Sequence, residues 1–254
     1  MRMKFNVVIP ARYQSQRLPG KPLEDIAGKP MIRHVWERAG QAGANEVVIA
    51  TDDTRILDAC EEFGARVAMT SKEHASGTDR IAEVSRQLDW TDDELVVNVQ
   101  GDEPLIPPAV IMQVAELLVG RSDAQMATLC TPIHDLDEYM DPNVVKLVAR
   151  EDGSALYFSR APIPWYRETA AAGLASQTRC RDALRHIGMY AYRVGALRGL
   201  AATPPCPLEL IERLEQLRAL WLGYTILTEI ADEIPGPGVD TQAQLEQVRR
   251  LLGP

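Results

Sequence analysis

Residues able to hold phosphate are concentrated between Val7 and Leu23, VVIPARYQSQRLPGKPL. An apolar, β-branched run (Phe5, Val7, Val8, Ile9) is expected to end as a strand at Pro10. The loop after it carries Arg12, Ser15, Arg17, Gly20 and Lys21 before a helical pattern starts near Met31. A strand opening into such a loop sets backbone N–H groups and fixed positive charge at the carboxyl edge of a sheet, where open α/β folds bind ligands. An ordinary solvated strand-to-helix loop uses the same residue types. Neither GxxxxGK[ST] nor GxGxxG occurs in this loop, so it is neither a P-loop nor a dinucleotide fingerprint.

Two acidic residues are candidates for the opposite charge. Asp102 directly follows the apolar run Leu95-Val96-Val97-Asn98-Val99, and Gly101 beside it allows close backbone approach. A carboxylate there suits Mg²⁺, a hard cation that prefers oxygen, or it caps the following turn. Asp240, in Val239-Asp240-Thr241, precedes an amphipathic run and by itself reads first as a helix N-cap. Arg160, His186, Tyr190, Glu215 and Gln216 each have an ordinary alternative. These are a surface charge, a hydrogen-bonded structural histidine, core packing, and solvated helix polar groups.

The elements that must position these residues alternate. Helices are expected from Pro30 to Gly43, after Asp53-Thr54, after a capping box at Ser76-Gly77-Thr78-Asp79, and from Pro108 to Val119. Short strands at Val47–Ala50, Arg66–Met69 and Leu95–Val99 lie between them, the pattern of βαβ units and a mainly parallel sheet. Beyond Met126–Ile133 the pattern changes. Asn143–Ala149 and Ala155–Phe158 read as a hairpin around Asp152-Gly153. Residues 162–182 read as a long loop, a lid or a dimer contact. Arg185–Arg193 reads as a strand with His186, Gly188, Tyr190 and Tyr192 on one face. One helix from Pro207 is expected to bury Leu210, Ile211, Leu214, Leu217 and Leu220, and the last runs from Gln242 to Leu252. No repeat or composition shift divides the 254 residues into independent domains.

Composition narrows the partners. With 46% hydrophobic and 25% charged residues the chain is an ordinary globular one. The formal net charge of −9 disfavours nucleic acid, yet leaves room for a local cationic cluster aimed at small anions. No apolar run is long enough for a membrane span, and MRMKFNVVIPA meets polar residues too early for a signal peptide. Cys60, Cys130, Cys180 and Cys206 show no CxxC spacing and read as reduced thiols of a cytoplasmic protein.

Taken in order, ARYQSQRLPGKPL, ATDD, HASGTDR, VNVQGDEP, LYFSRAPIPW, RHIGMYAYR, LELIERLEQLRALW and PGPGVDT closely resemble the 3-deoxy-manno-octulosonate (Kdo) cytidylyltransferases. The likeness runs from about Asn6 to the closing helix. The resemblance implies one Rossmann-like α/β domain of the nucleotide-diphospho-sugar transferase type. It would have a mixed, mainly parallel sheet and a smaller antiparallel dimerisation portion. About 1–130 would bind the nucleotide, and about 131–254 the sugar and a second subunit. The implied reaction joins CTP and Kdo into CMP-Kdo and pyrophosphate for lipopolysaccharide synthesis, in the cytoplasm, by a Mg²⁺-assisted homodimer. Arg12, Lys21 and Asp102 would be catalytic. Pro10, Ala11, Arg12, Lys21, Ser76, Gly77, Arg80 and Gln100 would bind nucleotide. Gln100, Arg160, His186, Tyr190, Glu215 and Gln216 would bind the sugar, with Asp102 and Asp240 on the metal. Arg167–Asp182 aligns with no motif. Amino-Kdo or sialate is the nearest alternative substrate, and a noncatalytic sugar-nucleotide sensor the alternative from another class.

Overall fold

In the computed structural model, which describes residues 4–14, 17–167 and 177–253, the opening apolar run is strand β1, Asn6–Ala11. It lies between β4 (Glu46–Thr51) and β6 (Leu95–Asn98), parallel to both, and β5 (Arg66–Met69) continues beyond β4. On the other side β10 (Leu184–Arg193) runs against β6, followed by β7 (Met126–Pro132) and β11 (Ile226–Ile230), giving the order β11-β7-β10-β6-β1-β4-β5. An antiparallel arm, β8 (Lys146–Ala149) with β9 (Ala155–Ser159), joins β10. A two-stranded sheet is formed by β2 (Asp25–Ile26) and β3 (Lys29–Pro30). The four cysteines are free.

β1 is apolar at consecutive positions because both faces are covered. Val7 and Ile9 face the layer containing α1 (Met31–Gln41), α2 (Thr54–Glu62) and α4 (Pro108–Val119). Val8 faces α3 (Gly77–Gln87) and α6 (Val194–Ala202). The strand runs through Pro10 rather than ending before it. Val8 gives its carbonyl to Val99 on the β6 side, so by the period of two the missing N–H of Pro10 faces that side too. There the β1–β6 ladder has already ended at Val8↔Asn98, and proline costs no ladder bond.

The expected single helix after Pro207 is corrected by the structure. It is two pieces, α7 (Pro207–Glu212) and α8 (Gln216–Trp221), with Arg213 between them at φ 54°. Leu214 and Leu217 are buried, but Leu210 and Ile211 are exposed. The break frees the carbonyls of Glu212 and Arg213, which accept from the Arg160 guanidinium at 2.6 and 3.5 Å. Arg218 draws Glu209 to 3.0 Å and Glu215 to 3.6 Å across the break. Tertiary bonds to two arginines outweigh a continuous helical stripe.

The chain's far end returns to its beginning. Val239, Leu245 and Val248 pack with Ile26 and Met31, and Arg249 of α9 (Gln242–Leu252) donates to the Asp25 carbonyl at 2.8 Å. Val239 N–H donates to the Asp102 carbonyl at 2.8 Å. Those contacts carry Asp240 to the mouth of the first loop.

Candidate active site

Lys21 is the centre of the charge arrangement. Its Nζ lies 2.6 Å from Asp102 Oδ2, 3.0 Å from Asp240 Oδ1 and 3.1 Å from the Val239 carbonyl. Arg17 reaches the other oxygen of Asp240 at 2.9 Å. Burial works against the Lys21 charge, but the neighbouring Asp102 and Asp240 outweigh it and raise its pKa. Burial likewise opposes the Asp240 charge, and Lys21 and Arg17 more than offset it, holding that carboxyl below its usual range. Gly101 makes the arrangement possible, since a Cβ there would fall 2.6 Å from the Pro10 carbonyl oxygen. Its close approach is therefore to β1. Asp240 is not the helix cap: Thr241 caps α9, in a capping box with Gln244. Its carboxylate is left for the cations.

Six of the eight expected nucleotide residues, Pro10, Ala11, Arg12, Lys21, Gly77 and Gln100, line one cavity of about 240 Å³, with Asp102 beside them. Arg12 and Gln14 also line a larger cavity, about 530 Å³, with Asp52, Asp53 and Lys72. Arg12 donates to the His74 carbonyl and stands 3.9 Å from Asp52. The other two expected nucleotide residues sit behind this surface. Ser76 caps α3, accepting from Asp79 N–H at 3.2 Å. Arg80 is fully buried, donating to Thr70 and to Asp52, the latter at 2.7 Å. Ser15 lies outside the described residues, as does part of the expected long loop.

The sugar-side residues collect around β10, whose antiparallel course places Tyr190 opposite Asn98 and carries His186 toward the carboxyl edge of β6. His186 and Tyr190 keep one face despite a bulge between Ile187 and Tyr190, and their rings are 5.2 Å apart. The Tyr190 hydroxyl is buried with no hydrogen-bond partner among the described residues. A buried hydroxyl without a partner is costly unless a ligand completes it. Glu215 accepts from Thr78, tying α8 to α3, and Gln216 is buried at the start of α8. Arg160 does not point freely into solvent. Its guanidinium rests on the carbonyls of Glu212 and, at 2.9 Å, Pro142.

His186 is a neutral hydrogen-bonding group. Burial pushes its pKa down to about 3, and Nε2 lies 3.0 Å from Thr128 Oγ1. Between that value and the ordinary ~6.5 the unfolded chain binds a proton that the folded chain does not, so His186 makes stability rise with pH across this window. Its contribution is complete above the upper value. Replacing His186 with Gln is expected to flatten Tm against pH between roughly 4 and 6.5. Thermal scans of both proteins check this, and an unchanged slope would show that His186 titrates normally.

Several residues escaped the reading of the sequence. Asp52 links Arg80 to Arg12, and Glu212 holds the Arg160 backbone N–H at 2.9 Å. Glu103, next to Asp102, is pushed up to about 7 by burial and by the Asp102 charge. The doubled acid in ATDD and the adjacent acids in GDEP were the available signals. Nothing local marked Glu212.

A family model described as Cytidylyltransferase matches residues 6–227. A protein of Thioalkalivibrio sulfidiphilus named 3-deoxy-manno-octulosonate cytidylyltransferase is 58% identical over 250 residues, covering 98% of this chain and 99% of its own. One of the same name from Hahella chejuensis is 54% identical, covering 98% and 97%. A solved structure of CMP:2-keto-3-deoxy-manno-octonic acid synthetase complexed with CTP superposes with a TM-score of 0.88 at 44% identity, covering 98% of both chains.

Proposed function

The chain belongs to the 3-deoxy-manno-octulosonate cytidylyltransferase family, and we propose that it transfers the cytidylyl group of CTP to the anomeric hydroxyl of Kdo, releasing pyrophosphate. The observation that carries this is the meeting of Lys21, Asp102 and Asp240 beside a cavity lined by Arg12 and Gln100. The sugar hydroxyl oxygen bonds to the α-phosphorus as the bond to the β-phosphate oxygen breaks, so negative charge gathers on departing pyrophosphate. Lys21, Arg12 and Arg17 are the cations we assign to meet it. Arg160 suits the sugar carboxylate, because a guanidinium can fork onto both oxygens. Tyr190, whose buried hydroxyl has no partner among the described residues, and neutral His186 suit sugar hydroxyls.

Asp102 and Asp240 fit Mg²⁺. Both are hard oxygen donors already converging on one cation, and Mg²⁺ is commonly held by one or two carboxylates plus substrate phosphates. Among the described residues no group of three or more His, Cys, Asp or Glu side chains is arranged for a metal. We assign the protein's share to this pair. When bound, Mg²⁺ would supply positive charge against the phosphates and acidify a hydroxyl.

The test is pyrophosphate release from CTP, UTP, ATP or GTP with Kdo, amino-Kdo or sialate, with and without a chelator. The expected result is release with CTP and Kdo that chelation abolishes. Tight CTP binding without release would favour a sensor, and release that survives complete chelation would remove the metal. We also assign the reading a homodimer, for which exposed Ile211 and Trp221 are apolar contact material; sedimentation of a monomer at assay concentrations would overturn it. A cytoplasmic site and supply of CMP-Kdo to lipopolysaccharide synthesis complete the proposal.

A further inference from the structure

Lys146 is buried without an acidic partner among the described residues. The residue is 0% exposed, and among the described residues it forms no salt bridge. Its three ammonium hydrogens serve three backbone carbonyls: Asp141 at 2.8 Å, Val144 at 2.5 Å and Arg160 at 2.8 Å. A lysine ammonium has three donors and no acceptor, so the group is saturated. Burying such a charge is costly, and an apolar side chain would fill a strand interior at lower cost. The location suggests what the charge is for.

Lys146 opens β8, opposite Ser159 on β9 and Arg185 on β10. It thus stands one residue from Arg160 on one side and one from His186 on the other. Val145 accepts from the His186 N–H at 2.8 Å. The grip on Arg160 is double. Glu212 holds the Arg160 N–H at 2.9 Å while Lys146 holds its carbonyl. The guanidinium itself rests on Pro142, in the turn that Lys146 pins at Asp141 and Val144. Both the backbone of Arg160 and a platform for its side chain therefore hang from one ammonium group.

We propose that Lys146 is a positioning residue for Arg160, setting the geometry with which the acid sugar's carboxylate is met. This rests on the reaction proposed above. Because Lys146 acts on the sugar side, its loss falls on one substrate and leaves the nucleotide alone. A group that only stabilised the fold would move both or neither.

The experiment is steady-state kinetics of Lys146→Met, Arg160→Ala and the double variant, with CTP and Kdo varied separately. Lys146→Met is expected to raise the KM for Kdo roughly tenfold, the scale of a lost hydrogen bond to a charged group, with the KM for CTP within about twofold. In the Arg160→Ala background the same substitution is expected to add nothing, since coupled residues depart from additivity. If Lys146→Met does not accumulate folded, Lys146→Gln, which keeps two donors, carries the same comparison. An unchanged KM for Kdo, a parallel rise for both substrates, or full additivity with Arg160→Ala would each overturn the inference while the parent still turns over. A parent enzyme releasing no pyrophosphate with any acid sugar would instead overturn the reaction on which it rests.

Discussion

Lys21→Ala is expected to slow pyrophosphate release by roughly 10²-fold or more, the scale seen when one donor to developing negative charge is removed. The ammonium stands within 3.0 Å of both acids, on the rim of the cavity lined by Arg12 and Gln100. It is the most buried of the cations there: its side chain is 14% exposed, against 41% for Arg12 and 64% for Arg17. Solvent therefore screens it least, and its charge acts most strongly on a phosphate. Folding should survive, because Asp102 and Asp240 remain partly exposed and water can take over part of the lost pairing. A second readout has the opposite sign. With no ammonium between them, the two carboxylates should bind Mn²⁺ more tightly in the absence of CTP than in the parent. Calorimetry measures this without turnover. A variant with near-parent rate would remove Lys21 from catalysis, and unimproved Mn²⁺ binding would count against the carboxylate pair as a cation site.

The parallel half of the sheet was legible because its signals are local. Arg66–Met69, Pro108–Val119 and Gln242–Leu252 occupy the expected spans, and the capping box at Ser76 forms. Each depends on side-chain period or on residues three apart. The break at Arg213 was not legible, since the apolar spacing from Leu210 to Leu220 continues through it. What stops the helix comes from Arg218 and from Arg160, the latter just past the end of distant β9. Asp240 shows the same limit. Asp-Thr-Gln leaves the cap open between Asp240 and Thr241, and the Gln244 N–H, donating to the Thr241 hydroxyl, decides between them. Arg80 needed the tertiary structure as well, because helical spacing says nothing about a fully buried guanidinium meeting Asp52.

That burial leads to the largest expected loss of stability. Arg80→Met keeps much of the side-chain volume and removes the charge, leaving Asp52 at 15% side-chain exposure with Arg12, 3.9 Å away, as its one remaining ion partner among the described residues. Breaking one side of a buried pair costs about 3–5 kcal/mol. Because Arg12 remains and Asp52 is not fully enclosed, the low end applies: a Tm lower by on the order of 10 °C. The activity follows from the same geometry. Asp52, released from Arg80, is expected to draw Arg12 away from the cavity of Pro10, Gln100 and Asp102, so the KM for CTP should rise while that for Kdo stays near parent. Adding Asp52→Asn to Arg80→Met should return part of the stability, since the stranded charge is gone. Thermal scans and separate substrate titrations of the three variants test this together. A double variant no more stable than Arg80→Met would mean the loss comes from packing, and an unchanged KM for CTP would separate Arg80 from the nucleotide.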